Sequence, residues 1–305
     1  MPTKPLESIL YREPSIAEAR KYIDVASPLL KELVNYSTNL FARCGDSAKG
    51  EENEDGSVFS LFKHIIEMTD GIDVHVSQSC AVPAIPLVRS SFEALLAMQY
   101  ILESDNEYVK RPLSWMANYI NDRISQYKLL DPDTQEGRQF RENAKKDSAG
   151  SRIDWADIDS TKDEIQSLEK VLARAQFKDV EAERKSQRRK RPQWYSLFGG
   201  PQNLRILAQH LERGAQYVFL YRQWSSVSHA VDFPRFAAIP EKGERYIERL
   251  RNPKRLEEVM RFAPTFILEA IRLMTQKCRP GEMGNFSRWY MNEVQEKYKL
   301  ITFTG

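Results

Sequence analysis

Tyr221-Arg-Gln-Trp-Ser-Ser-Val-Ser-His229 combines helical spacing with a row of polar side chains. Arg222 and His229 are seven residues apart, and at 3.6 residues per turn they lie almost above one another. Ser225 and Ser226 fall between them on the same side of the predicted helix. One helix therefore presents a cation, two hydroxyls and an imidazole in a row, which indicates either a hydrogen-bonded network between helices or a site that does chemistry.

Helical periodicity extends over most of the chain on both sides of this stretch. Apolar residues recur at three- and four-residue steps, which predicts helices at about 15–43, 57–77, 84–103, 105–130, 161–190, 202–212, 212–233, 253–277 and 286–298. Residues 135–160 predict a weak helix and a loop. Pro28 is a possible break, Ser57 is a plausible N-cap, and the tail from Leu300 could be extended. Because alternating strand patterns are nearly absent, the predicted fold class is all-α.

Composition and charge favour a soluble intracellular protein. The chain has 305 residues, of which 41% are apolar and 29% charged, and its net charge of +2 does not by itself indicate a nucleic-acid or membrane partner. Cys44, Cys80 and Cys278 are odd in number and far apart, which favours reduced thiols. The first residues lack an apolar signal region, and no apolar run approaches the length of a membrane span. We expect a cytoplasmic protein without a membrane partner.

The chemistry of Arg222 and His229 suits a phosphodiester. Histidine can act as general acid or base near neutral pH, and the arginine fork stays charged beside a phosphate or a developing oxyanion. Ser225 or Ser228 could hydrogen-bond the phosphate or hold the imidazole. The alternative is a helix face that only hydrogen-bonds neighbouring helices.

An Arg and a His separated by about six residues on a helix of an all-α domain resemble the motif of the HEPN superfamily. Gln223 follows Arg222 at a position where many HEPN nucleases have Asn, Asp or His. Arg89-Ser-Ser-Phe-Glu93, Trp194-Tyr195 and the Tyr221–His229 stretch together look like a bacterial helical family of unknown function, itself HEPN-like, over roughly residues 58–278.

The resemblance implies a HEPN-like antiparallel helical bundle with extra N-terminal and inserted helices. The core would cover 58–278 with a charged insertion at 135–200, between an N-terminal helix with an acidic loop (1–57) and a C-terminal helix and tail (279–305). HEPN nucleases cleave RNA without a metal ion, usually at a dimer interface. The resemblance thus implies RNA as partner, a homodimer or higher homo-oligomer, and a toxin-type effector in antiviral defence with a partner protein encoded nearby.

Arg89 and Glu93 are one turn apart on the most apolar predicted helix. The simpler interpretation is an intrahelical ion pair worth a few tenths of a kcal/mol. Two charges on an apolar helix must be paired or face a cavity, however. The other hypothesis is therefore that they orient His229 or bind a substrate phosphate. Tyr221, directly before Arg222, is a further candidate substrate-binding residue.

A basic run, Arg184-Lys-Ser-Gln-Arg-Arg-Lys-Arg191, carries six positive charges in eight residues. Such a run is usually a solvated helix end, but it could also follow a phosphate backbone. Trp194 and Tyr195 follow it closely and could stack on unpaired bases. The candidate RNA-binding residues of this region are Arg188, Arg189, Arg191, Trp194 and Tyr195.

No pattern in the sequence indicates a metal ion or a cofactor. The histidines at 64, 75, 210 and 229 lack paired one-turn spacing, and Cys-x-x-Cys is absent. No glycine-rich phosphate loop and no Gly-x-Ser-x-Gly elbow occur.

The preferred function is an endoribonuclease that needs neither metal nor cofactor. The alternative is a non-catalytic helical module that binds a nucleotide or a protein.

Overall fold

The computed structural model of the chain describes residues 10–47, 55–104, 109–155, 160–188, 191–224 and 249–302, with the backbone alone at residues 222, 223 and 302. None of these residues lies in a β-strand, and nearly all long segments are helical. The predicted all-α class is confirmed.

The α-helices are numbered in chain order. They are α1 (Arg12–Ser47), α2 (Gly56–Ser77), α3 (Ala81–Leu102), α4 (Lys110–Leu130), α5 (Gln135–Ala144), α6 (Lys162–Leu172), α7 (Lys178–Ser186), α8 (Leu204–His210), α9 (Gly214–Tyr217), α10 (Arg255–Cys278), α11 (Met283–Trp289) and α12 (Gln295–Thr302). Two π-helical turns, Val218–Gln223 and Tyr290–Val294, directly follow α9 and α11. Short 3₁₀ helices lie at Gly150–Arg152, Ala175–Phe177, Trp194–Gly199 and Pro280–Glu282.

The chain divides into two compact units. The first, here called the bundle unit, combines residues 1–103 and 205–305, and the second, the insert unit, covers residues 104–204. In the bundle unit α1, α2, α3 and α10 pack against one another. Their apolar faces meet in a core whose largest fully buried side chains include Phe62, Phe92, Phe266, Leu29 and Leu30.

The connection between α2 and α3 is tight because Ser79 adopts a left-handed conformation, with φ of 54°. The amides of Ser79 and Cys80 donate to the carbonyls of Val76 and His75, which closes the helix end as in a Schellman motif. Gly71 lets the two helices approach closely, since a Cβ there would lie 3.1 Å from Leu87 Cδ1. The short link makes α2 and α3 packed neighbours. It thereby fixes where the polar residues of α3 lie along the bundle.

α3 is the core helix of the bundle unit, although by length and composition alone it could cross a membrane. Its most apolar 18-residue window is 61% buried inside the protein, as expected of the core helix of a soluble protein. Among the residues that the structure describes, no other helix passes the same test. The sequence-based expectation that no apolar run approaches the length of a membrane span was therefore wrong for α3.

The insert unit is built around α4, which contacts α5, α6 and α7 and the 3₁₀ helix Trp194–Gly199. Its core is a narrow apolar cluster on one face of α4. The cluster consists of Leu113, Ala117, Ile120, Ile124, Ile165, Phe177, Val180 and Leu197. The predicted helix 161–190 is broken here into α6, a 3₁₀ turn and α7, which lets Phe177 turn inward.

Three local predictions were wrong. α1 continues through Pro28, and α2 begins at Gly56, so Ser57 is a buried helical residue and not the N-cap. Leu300–Thr302 are helical and not extended.

Candidate functional site

Arg89 and Glu93 on α3 meet Tyr221, which lies on the π-helical turn after α9. The Tyr221 hydroxyl donates a hydrogen bond of 2.5 Å to Glu93 Oε1. The Arg89 guanidinium lies over the Tyr221 ring, with Cζ 3.7 Å from the ring centroid, and Arg89 Nε donates to the same carboxylate at 3.3 Å. We call these three residues the Arg89 cluster. The described start of the predicted His229 helix therefore contacts the Arg89 helix.

The sequence favours this arrangement because residues four apart share one helix face. Arg89 and Glu93 interrupt the apolar surface of α3 next to the fully buried Val88 and Phe92. The Arg89 side chain is only 17% exposed, whereas that of Glu93 is 43% exposed. The cluster thus buries its cation and leaves its carboxylate partly open to solvent.

Tyr221 acts in this cluster as a hydrogen-bond donor. Burial and the neighbouring Glu93 carboxylate raise the pKa of its hydroxyl well above the ordinary value, against the opposite effect of Arg89. The hydroxyl therefore keeps its proton at neutral pH and donates it to the hydrogen bond with Glu93. Its ring is also stacked on Tyr217, with centroids 4.8 Å apart and planes 10° apart.

The π-helical turn Val218–Gln223 is fixed to the bundle by apolar contacts as well. Leu220 and Trp224 are buried, and the Trp224 ring meets Phe262 of α10 edge to face at 5.6 Å. π-helical turns occur frequently at functional sites, since they change the direction of the side chains that follow. Here the turn contains the backbone of Arg222.

The predicted reacting groups themselves lie outside the described residues. Of Arg222 only the backbone is described, and Ser225, Ser228 and His229 fall in the range 225–248 that the structure does not describe. The predicted approach of Arg222 and His229 stays a prediction. What the structure adds is the surroundings of the residue that directly precedes Arg222.

A second polar network, not predicted from the sequence, lies between α3, α10 and the start of α9. Arg213 Nε donates to Gln99 Oε1 at 2.5 Å, and Arg213 Nη2 lies 3.4 Å from Glu269 Oε1. Arg272 holds the same carboxylate with two hydrogen bonds, of 3.2 and 2.7 Å. No sequence signal links residues 99, 213 and 269, because their contact depends on how the helices pack. The network ties α9 to the bundle at the end opposite to Tyr221.

The candidate RNA-binding residues of the insert unit differ in their exposure. Arg188 and Arg191 are exposed, while Arg189 lies outside the described residues. Tyr195 is only 8% exposed and packs edge to face on Trp194 at 5.5 Å. Of the two rings, the half-buried Trp194 is the more exposed.

The described histidines are engaged in separate local contacts. His64 Nε2 lies 2.7 Å from Ser90 Oγ, His75 Nδ1 lies 2.7 Å from the Gly71 carbonyl, and His210 Nε2 lies 2.9 Å from Glu103 Oε2. Within the part of the chain that the structure describes, no group of three or more His, Cys, Asp or Glu side chains is arranged to hold a metal ion. His229 is the one histidine that lies outside the described residues.

Comparison with known proteins places these motifs in a family. The model of a family of unknown function, DUF5677, matches residues 56–233, more than half of the chain. The chain belongs to this family. No curated protein and no solved structure matches it.

The DUF5677 match contains all three sequence motifs. Arg89–Glu93, Trp194–Tyr195 and the Tyr221–His229 stretch all lie within residues 56–233. The match ends before α10 and begins after α1, although α1 packs on α2, and α10 packs on both α2 and α3. The DUF5677 region of this chain therefore completes its core with helices from outside the matched range.

Proposed function

We propose that this chain is an endoribonuclease that cleaves RNA without a metal ion, with Arg222 and His229 as its reacting pair. The observation that supports the proposal is the Arg89 cluster, which anchors Tyr221, the residue directly before Arg222. An anchored backbone at this point gives the Arg222 side chain a defined origin. Preorganised positive charge is what stabilises the transition state of phosphodiester cleavage.

In the proposed reaction His229 removes the proton from the ribose 2′-hydroxyl. The 2′-oxygen attacks phosphorus and the bond to the 5′-oxygen breaks. The leaving 5′-oxygen takes up a proton from solvent, to which His229 releases the proton that it removed. Arg222 stabilises the extra negative charge on the phosphate oxygens, and Ser225 or Ser228 hydrogen-bonds the phosphate or holds the imidazole. The products are a 2′,3′-cyclic phosphate and a 5′-hydroxyl.

Glu93 is suited to a positioning role in this scheme. Its carboxylate accepts hydrogen bonds from Arg89 and Tyr221 through Oε1, and nearly half of the side chain remains exposed. A carboxylate hydrogen-bonded to imidazole orients the ring and raises its basicity. In the proposed site Glu93 holds His229 in this way, on the helix that the sequence predicts after Trp224.

RNA would be bound by positive charge distributed along the chain. The exposed Arg188 and Arg191 and the half-buried Trp194 of the insert unit fit a single strand with unpaired bases. A homodimer is part of the proposal, because the resembling nucleases form their sites between two copies. The biological role proposed with it is that of a toxin-type effector in antiviral defence.

The experiment that tests the proposal is cleavage of a labelled single-stranded RNA by wild type, His229→Ala and Arg222→Ala. Loss of a general acid or base costs about 100- to 10,000-fold, and loss of an oxyanion-stabilising group about 100- to 1,000-fold. His210→Ala is the matched control, because this histidine is half-exposed and bonded to Glu103. Thermal melting of every variant separates loss of activity from loss of folding.

Two further measurements complete the test. Cleavage should persist in excess chelator, and the product should carry a 2′,3′-cyclic phosphate end. Cleavage that chelation abolishes, or that His229→Ala and His210→Ala retain equally, would overturn the proposed mechanism.

A second candidate is a non-catalytic helical module that binds a nucleotide or protein. It is favoured by the internal pairing of the Arg89 cluster. The guanidinium, the phenol and the carboxylate already interact with one another and need no ligand as a partner. This candidate would be supported over the nuclease if wild type and His229→Ala bind RNA with equal affinity and neither cleaves it.

A further inference from the structure

Cys44 and Cys278 meet where the last turns of α1 and α10 come together. The two thiols lie close enough to shift each other's pKa, and the Cys278 thiol donates to Met274 Sδ at 3.9 Å. Cys44 is only 1% exposed, whereas Cys278 is half-buried and lies on the solvent side of the pair. Neither thiol has a role in the proposed RNA cleavage.

The flanking side chains hold the two helix ends together. Arg43 Nε donates to Glu282 Oε2 at 3.2 Å, and Arg279 Nη1 donates to Ser47 Oγ at 2.6 Å. Arg279 Nε also donates to Glu282 Oε1 at 2.8 Å. Residues on both sides of Cys44 are thus bonded to Arg279 and Glu282, one and four residues after Cys278. A disulfide needs its two Cα atoms about 4.4–6.8 Å apart, and this bracing holds the two helix ends side by side.

The surroundings make one of the two sulfurs the better nucleophile. The neighbouring Cys278 thiol lowers the pKa of the Cys44 thiol, and Arg279 and Arg43 act in the same direction against burial and Glu282. The neighbouring Cys44 and burial raise the pKa of the Cys278 thiol. Negative charge therefore concentrates on Cys44, and thiolates are the form of cysteine that reacts with oxidants.

We propose that Cys44 and Cys278 form a reversible intramolecular disulfide when the chain meets a hydroperoxide. The Cys44 thiolate attacks one peroxide oxygen, the O–O bond breaks, and Cys44 becomes a sulfenic acid. The Cys278 sulfur then displaces the hydroxyl from Cys44, which leaves as water with the Cys278 proton. In total, two thiols and one hydrogen peroxide give one disulfide and two waters. Hydrogen peroxide is close to water in size and reaches the pair from the side of Cys278.

The disulfide would join the ends of α1 and α10, the two core helices that lie outside the DUF5677 match. A cross-link between residues so far apart in sequence restricts the unfolded chain strongly. We expect it to raise the Tm by roughly 5 °C. Disulfides in reducing compartments are mostly transient and serve redox sensing.

The test is titration of the full chain with hydrogen peroxide, followed by thiol counting and peptide mapping. Wild type should lose two of its three thiols, and the cross-linked peptide should join Cys44 to Cys278. Cys80→Ala should form the same disulfide, because Cys80 is not part of the pair. Cys44→Ala and Cys278→Ala should form no intramolecular disulfide and should show no rise in Tm, and dithiothreitol should restore all wild-type thiols.

The outcomes separate the proposal from its alternatives. A disulfide that contains Cys80, a disulfide between two chains, or oxidation of Cys80 before the other two thiols would overturn it. Persistent sulfinic acid at Cys44 with a free Cys278 would do the same. The decisive result is the peptide map of the wild type and of Cys80→Ala. A folding defect in Cys44→Ala or Cys278→Ala therefore does not affect it.

Discussion

Glu93 in the bundle unit and Glu181 in the insert unit are held in nearly the same way, yet the two sites differ in what they leave open. Each carboxylate binds an arginine of its own helix and one group from another helix. Glu181 accepts two 2.9 Å hydrogen bonds from Arg184 and one of 3.0 Å from Asn121 of α4. Glu93 accepts from Arg89 and Tyr221 through a single oxygen.

Exposure separates the two carboxylates. The Glu181 side chain is 12% exposed and both of its oxygens are occupied, so it serves as a brace between α4 and α7. Glu93 is 43% exposed, and both of its hydrogen bonds go to Oε1. The comparison teaches that an arginine–carboxylate pair marks a candidate site only when part of the carboxylate remains accessible to a ligand.

The largest effect should come from the bundle unit. We expect Tyr221→Ala to lower RNA cleavage roughly 100-fold, since misplacing a reacting group by about 1 Å can cost this much. Tyr221→Phe keeps the ring under Arg89 and loses one hydrogen bond worth about 1 kcal/mol, so its effect should be much smaller. The measurement is kcat and KM on a short RNA, with melting in parallel. If Tyr221→Ala is less stable but cleaves RNA at the wild-type rate, the Arg89 cluster has only a structural role.

The next effect concerns the brace in the insert unit. Glu181→Ala leaves Arg184 and Asn121 without their partner and should lower the free energy of unfolding by about 2 kcal/mol. The control is Glu169→Ala, because this exposed carboxylate makes only a 3.8 Å ion pair with Lys128 and should change stability by less than about 0.5 kcal/mol. Urea unfolding measures both. Equal losses in the two variants would contradict the distinction between brace and surface pair.

The smallest effect is the pH dependence of the same brace. Burial opposes ionisation of Glu181, but hydrogen bonds from Arg184 and Asn121 outweigh it and hold the pKa of the carboxyl below its ordinary value. Its stabilisation is therefore complete above the unfolded pKa of about 4.3 and is lost as the pH falls through the folded pKa. Urea unfolding of wild type and Glu181→Gln should show a stability difference at neutral pH that shrinks in acid. A difference that grows on acidification would contradict this sign.

Sequence periodicity was sufficient for the long helices. α2 ends at Ser77 as predicted, and α10 (Arg255–Cys278) differs from its predicted range by two residues at its start and one at its end. It was less useful where local signals compete with packing. Pro28 does not interrupt α1, and Phe177 lies in a turn that splits a helix predicted as continuous.

The candidate site shows the same division. The pairing of Arg89 with Glu93 could be predicted, because a spacing of four fixes it within one helix. The role of Tyr221 as third member of the cluster could not, since its contact with Glu93 spans 128 residues of sequence. The approach of Arg222 to His229 stays a prediction from helical spacing.

The sequence by itself determined the all-α class and the contacts between residues one helical turn apart, because both follow from local periodicity. Only the tertiary structure decided that Cys278 meets Cys44, that Arg213 joins Gln99 to Glu269, and that Glu93 stays accessible while Glu181 does not. These contacts depend on how separate helices pack, and the spacing of residues within a helix carries no information about which helix lies opposite.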